Sequence, residues 1–162
     1  MTTLDPVELL RRLASGRVEL VVVGMAAGVL RGAPVATADV DVVHSRHPDN
    51  VSRLLAVLGT LEATYRHDPR HLRPTESHLT SPGHQLLSTI YGNLDCLGTV
   101  GNAESYEDLL PNAPEMELGE GLTVRVVDLP TLIRLKEHAG RPKDLAVLPV
   151  LRATLAETQR RS

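Results

Sequence analysis

Asp39 and Asp41 stand two residues apart in an otherwise apolar stretch, ATADVDVV, residues 36–43. Side chains alternate along a strand, so Thr37, Asp39, Asp41 and Val43 share one face and Ala38, Val40 and Val42 the other. Two carboxylates on one face repel each other unless something positive lies between them. That face therefore either meets water or holds a cation. A third acid, Asp95, lies in a second apolar stretch, YGNLDCLG. Three carboxylates converging from two strands at one end of a sheet bind divalent cations through oxygen, with phosphate oxygens and waters filling the remaining positions. Two such metals activate a nucleophile and stabilise the leaving oxygen of a phosphoryl displacement. Spacing alone leaves this reading level with that of three edge or solvent-facing acids.

The surrounding elements must position these groups. Asp5, Pro6 and Glu8 form a helix start, Leu9, Leu10 and Leu13 its apolar stripe, and Gly16 its end. RVELVVVG (residues 17–24) reads as a buried strand, and MAAGVLRG as a short helix closed by Gly32. Gly24, Gly28 and Gly32 recur every four residues, a spacing that lets a helix lie close to a sheet. After the Asp39–Asp41 strand, Pro48-Asp49 opens a helix with Val51, Leu54, Leu55 and Leu58 on one face. Residues 64–84 hold three prolines, four histidines and three arginines and read as a long polar loop. A hairpin turning near Gly92-Asn93 and a second turning at Gly119-Glu120-Gly121 follow. Asp128 caps a helix, LPTLIRLKEHA, and GRPKD opens the last one. The expected fold class is α/β, a small antiparallel or mixed sheet flanked by helices, with residues 1–162 forming a single domain.

The order of these motifs carries more information than any one of them. VVVGMAAGVLRGAPVATADVDVV resembles the signature of the nucleotidyltransferase superfamily, which has the fold of DNA polymerase beta. There a strand ends in Gly-Gly or Gly-Ser, a short helix follows, the next strand carries Asp-x-Asp, and a later strand adds a third carboxylate. Gly24, Asp39 and Asp41 match, and Asp95 stands for the third acid. The tail VVDLPTLIRLKEHAGRPKDLAVLPVL is similar to the minimal bacterial members, including those of type IV toxin–antitoxin and abortive-infection systems. The resemblance spans roughly residues 18–155.

It implies Mg²⁺-dependent transfer of a nucleoside monophosphate from an NTP to an acceptor hydroxyl, on a tRNA, a protein or a small molecule, with release of pyrophosphate. Asp39, Asp41 and Asp95 would be the catalytic and metal-binding residues, holding two Mg²⁺, with Asp95 helping to deprotonate the acceptor. Gly24, Met25, Thr37, Lys136, Arg141 and Lys143 would contact the nucleotide. Met25 departs from the family pattern, where Gly or Ser follows the first glycine. It can offer a backbone N–H but no hydroxyl, and it adds bulk. The alternative is therefore a non-catalytic partner in a toxin–antitoxin pair that keeps the fold. A plain divalent-cation scaffold would bind metal but no nucleotide.

The basic residues have their own physical readings. Lys136 continues the stripe of Leu129, Leu132 and Ile133, so it either snorkels to the rim or reaches into a pocket. Arg141 and Lys143 open the last helix, where positive charge opposes the helix dipole and Asp144 favours it. They either meet an anion or pair with Asp144. Arg66, Arg70 and Arg73, with His67, His71, His78 and His84, could contact phosphate; the plainer expectation is a solvated loop. These histidines lack zinc-ligand spacing. His44 and His47 follow the Asp strand without an assigned role.

Composition excludes several classes. No Phe or Trp and only three Tyr leave a core of Leu, Val, Ala and Ile and no base-stacking platform. The net charge of −3 argues against a broad nucleic-acid footprint. Cys96 is the single cysteine, which suits a reducing cytoplasm, and alternation points it away from Asp95. The N-terminal stretch lacks the apolar core of a signal peptide, and no run is long enough to span a bilayer.

Overall fold

The computed structural model describes residues 3–162. The first half runs α1 (Pro6–Ser15), β1 (Leu20–Val23), α2 (Gly24–Leu30), β2 (Asp39–His44), α3 (Pro48–Thr60), β3 (Thr64–Tyr65) and α4 (Glu76–Thr80). The second half runs β4 (His84–Thr89), β5 (Gly92–Leu97), α5 (Tyr106–Leu109), β6 (Glu115–Glu117), β7 (Thr123–Val126), α6 (Leu129–Ala139) and α7 (Pro142–Arg161). The strands form one mixed sheet in the order β3-β4-β5-β2-β1-β7-β6. β2 runs parallel to β5, and β1 parallel to β7; the other neighbours are antiparallel.

Local chemistry accounts for most element boundaries. Asp5 Oδ1 accepts from the Glu8 amide at 3.1 Å and Asp128 Oδ1 from the Thr131 amide at 2.9 Å, each satisfying an otherwise orphaned helix donor. Such a cap contributes about 1 kcal/mol. The expected hairpins form, with one adjustment: Gly92 and Asn93 open β5, and the turn itself is Ile90-Tyr91. Gly92 has φ +109° and lies against Leu4, so its lack of a side chain serves that close approach.

Two expectations need correcting. Residues 64–84 are not one long loop. They contain β3 and α4, the latter held by a reciprocal cap between Thr75 and His78. The glycine spacing also does not press a helix onto the sheet throughout. Gly24 meets a strand side chain, Gly28 faces Leu132 of α6 and Leu151 of α7, and Gly32 faces open space.

The sheet separates two layers. On the face of Val40, Val42 and His44, His44 Nε2 bonds the Leu79 carbonyl of α4 at 2.7 Å, and α4 packs on α3. The other face carries Asp39 and Asp41 and is covered by α2, with α6 and α7 behind it. The core is leucine-rich as composition requires. Leu9, Leu13, Leu54, Leu87, Leu94 and Leu132 are among its enclosed side chains. Each fully buried leucine contributes about 1.5–3 kcal/mol relative to exposure. Cys96 is buried on the side away from Asp95, and burial, with Asp95 and Asp41 adding to it, pushes its thiol up to about 12. Among the described residues no helix is long and apolar enough to cross a membrane.

Candidate active site

Strand register brings the three acids together. The antiparallel pairing of β1 and β2 sets Val23 opposite Asp41, and the parallel pairing of β2 and β5 sets Asp41 opposite Asp95 and Asp39 opposite Asn93. Oxygens of Asp39, Asp41 and Asp95 lie within 4.8 Å of one another. Asp41 Oδ1 is buried and has no hydrogen-bond partner. A buried acceptor left unsatisfied costs free energy. Here the cost is relieved by a proton or a cation. Burial, then the neighbouring charges of Asp95 and Asp39, push the Asp41 carboxyl up to about 7, against the opposing pull of Lys136. An all-oxygen set of carboxylates fits a hard divalent cation such as Mg²⁺, and the unpartnered Asp41 oxygen is the atom such an ion would satisfy.

Gly24 makes this geometry possible. It begins α2 directly after β1 with φ +62°, a conformation that glycine adopts without strain. A Cβ there would collide with Asp41 Oδ2 and stand 3.0 Å from Cγ and 3.1 Å from Cβ of the same residue. The backbone of the β1–α2 junction therefore lies directly against the carboxylate. Met25 follows, half-buried and packed on the core, and its methyl carbon is directed at Gly28, 3.2 Å from where a side chain there would begin. The bulk of Met25 is thus accommodated within α2. Thr37 Oγ1 donates to the Asp39 carbonyl at 2.7 Å, so it fixes the entry of β2.

Arg66 belongs to the site, contrary to the expectation of a solvated loop residue. Its amide donates to the Leu86 carbonyl at 3.0 Å, which extends the ladder one residue beyond β3. Arg66, Leu86, Asp95 and Asp41 consequently form one cross-strand row. The guanidinium crosses over Leu86 to donate to Asp95 Oδ1 at 2.7 Å and to the Leu87 carbonyl at 3.0 Å, and it lies 3.9 Å from Asp39 Oδ1. The Arg66 and Asp95 side chains are only 15% and 11% exposed. Asn93 Nδ2 donates to Asp39 Oδ1 at 3.2 Å. Its position two residues before Asp95 in one strand was the available signal. Arg70 pairs instead with Asp68, and His47 caps α3.

Lys136 and Arg141 converge on Asp144. Lys136 Nζ lies 3.2 Å from Asp144 Oδ1, and Arg141 Nε donates to Oδ2 at 2.6 Å. Burial alone would raise the Asp144 carboxyl, but the hydrogen bonds from Arg141 and Lys136 outweigh it and hold it below the usual carboxylate range. Of the alternatives open for Arg141, the ion pair forms. Lys143 is exposed and makes no side-chain ion pair or hydrogen bond among the described residues. The charges of Lys136 and Arg141 are felt at Asp41, so this α6–α7 cluster lies within electrostatic reach of the three acids.

Comparison with solved structures finds a Thermotoga maritima protein described as a "putative nucleotidyltransferase", with a TM-score of 0.51 over 99% of this chain and 94% of that one, at 18% identity. The fold is of the nucleotidyltransferase type. No family model matches the chain, and no curated protein does. With that fold, the acid-bearing strands and the glycine junction stand in the order that the sequence motifs imply.

Proposed function

We propose that the protein is a metal-dependent nucleotidyltransferase. It transfers a nucleoside monophosphate from an NTP to an acceptor hydroxyl. The observation that carries this reading is the convergence of Asp39, Asp41 and Asp95 on one face of a nucleotidyltransferase-type sheet, with a buried Asp41 oxygen lacking any partner.

The three carboxylates would hold the metal, with Mg²⁺ the ion their oxygens suit and two ions the number the resemblance implies. When bound, the metal supplies charge neutralisation at the phosphates and acidifies the attacking hydroxyl. The chain's residues do the rest. Gly24 lets the backbone come close beside Asp41, where the triphosphate enters. Met25 offers its amide there and keeps its side chain against Gly28. Asp39 is oriented by Asn93. Asp95 takes the proton of the acceptor hydroxyl as its oxygen bonds the α-phosphorus. The bond from that phosphorus to the β-bridging oxygen breaks, and pyrophosphate leaves with the electron pair. Lys136, Arg141 and Lys143 bring positive charge to the phosphate side. Thr37 acts through the entry of β2. Most of the rate enhancement is positioning and charge stabilisation.

The acceptor is a hydroxyl of a tRNA, a partner protein or a small molecule; a cognate toxin or antitoxin is a further partner the resemblance implies. The packing of Met25 against Gly28 weakens the alternative of a non-catalytic partner, because the bulk that favoured it is directed into the protein. The test offers purified protein, Mg²⁺ and each alpha-labelled NTP to total tRNA and to a cell lysate, beside an Asp39→Ala/Asp41→Ala control. Label on RNA or protein, lost in the control, is the expected result. Absence of both label and NTP binding refutes the reading.

A further inference from the structure

We propose that Arg66 is a resident counter-cation of the carboxylate site. A divalent metal must displace it, and the freed guanidinium then takes a phosphate of the nucleotide. The second half of this inference rests on the nucleotidyltransferase reading; the first half stands on geometry alone.

The guanidinium holds one oxygen a metal would use and sits beside a second. It donates to Asp95 Oδ1 and lies 3.9 Å from Asp39 Oδ1, thereby bridging two of the three carboxylates. It is also anchored, since its other terminal nitrogen donates to the Leu87 carbonyl and its amide to the Leu86 carbonyl. Such a group is not a wandering surface side chain. A divalent ion bound to Asp39 and Asp95 shares their oxygens with this guanidinium. Even in solvent-like dielectric, a single and a double positive charge about 6 Å apart repel enough to weaken binding about tenfold. Lys136 differs, because it has a partner of its own in Asp144. Arg66 has the metal's ligands as its partners. Once displaced, it is a cation at the edge of a site that receives a triphosphate, and its planar fork suits phosphate oxygens. Metal and nucleotide therefore bind cooperatively: the nucleotide takes up the guanidinium that opposes the metal.

The test is Mn²⁺ titration followed by electron paramagnetic resonance, on the full chain and on the Arg66→Gln and Arg66→Lys variants, with and without a non-hydrolysable NTP analogue. Without analogue, Arg66→Gln binds Mn²⁺ about tenfold more tightly than the native chain, and Arg66→Lys, which keeps the charge, stays within a few-fold of it. The analogue tightens Mn²⁺ binding to the native chain and does so far less in Arg66→Gln. Equal or weaker Mn²⁺ binding by Arg66→Gln overturns the displacement, as does Arg66→Lys matching Arg66→Gln. Equal tightening by the analogue in both chains overturns the phosphate contact. If the analogue binds neither chain, the nucleotide reading and the phosphate contact fall together, and the Mn²⁺ arm still decides displacement. A thermal melt with and without Mn²⁺ confirms that each variant is folded, and the metal raises the midpoint most in Arg66→Gln.

Discussion

Replacing Gly24 by alanine tests whether the β1–α2 junction is built around the Asp41 carboxylate. Two costs add. Alanine at φ +62° takes a left-handed conformation that costs about 1–2 kcal/mol. The new methyl group also collides with Asp41 Oδ2. Turning the carboxylate away moves Oδ2 and Cγ but does not remove the crowding, because Cβ of Asp41 would remain 3.1 Å away. Either β2 or α2 must then shift by a few tenths of an ångström, and overpacking of this kind costs about 1–3 kcal/mol. The expected loss is about 2–5 kcal/mol by denaturant unfolding, which in a chain this size is roughly 2–4 °C of midpoint per kcal/mol. The site should suffer beyond the fold. With Asp41 turned away, Mn²⁺ affinity should fall at least tenfold. Gly32→Ala is the control, since Gly32 has φ +100° with nothing within 4 Å. It should lose stability through strain alone and keep native Mn²⁺ affinity. If Gly24→Ala binds Mn²⁺ like the native chain, or Gly32→Ala loses affinity equally, the close approach of backbone and carboxylate is not what shapes the site.

Three further outcomes follow from the charged groups. Asp41 has a folded pKa of about 7 against an ordinary 3.8, so the folded metal-free chain holds its proton more tightly than the unfolded chain does. This group's contribution to stability is full below about pH 4 and is lost as pH rises to about 7, a change of the order of 4 kcal/mol. Denaturant unfolding across that range should show the loss in the native chain but not in Asp41→Asn. The difference isolates it from His44, whose pKa burial lowers and whose contribution runs the other way with pH. Mn²⁺ affinity should likewise climb about tenfold per pH unit up to about pH 7 and then level off, because the protonated carboxyl is a poor ligand; a flat titration would refute it. Asp144→Asn should cost about 2–3 kcal/mol by denaturant unfolding. Breaking a buried pair costs more, but the Arg141 side chain is 59% exposed and recovers its hydration. A loss under about 1 kcal/mol would mean that Lys136 and Arg141 do not depend on it.

Local patterns carried the parts of the site that lie within one strand or one turn. The period of two put Asp39 and Asp41 on one face, and the same rule sent Cys96 to the face away from Asp95. Caps at Asp5 and Asp128 were readable because a side chain three residues before a free amide is a local event. The meeting of Asp41 with Asp95 was not local. It depends on the parallel register of β2 and β5, which nothing within either strand specifies; the order of motifs supplied that expectation. Arg66 was less legible still. It follows a two-residue strand in a segment of prolines and histidines without period, so no alternation marks its face. Its role appears only when β3, β4, β5 and β2 are laid side by side. The place of Met25 was not read either: the glycine spacing suggested a helix lying close to a sheet, whereas Gly28 faces the Met25 methyl group.

Arg66 and Lys136 are held in different ways, and this difference organises the charge around the carboxylates. Lys136, only 16% exposed, is fixed by Asp144, whose side chain is 1% exposed and which also takes Arg141. That trio keeps a net charge of +1 whatever binds among the carboxylates, because none of its members is a metal ligand in this arrangement. Arg66 has no acid of its own. Its partners, Asp95 and Asp39, are the groups a metal would claim, so its pairing and metal binding exclude each other. The α6–α7 cluster therefore supplies constant positive charge on one side. The β3 edge supplies a charge that can change partners on the other. A site built this way is near neutral balance without metal and acquires a loose guanidinium when metal enters. On the proposed reading, the polyphosphate of the nucleotide completes both changes at once.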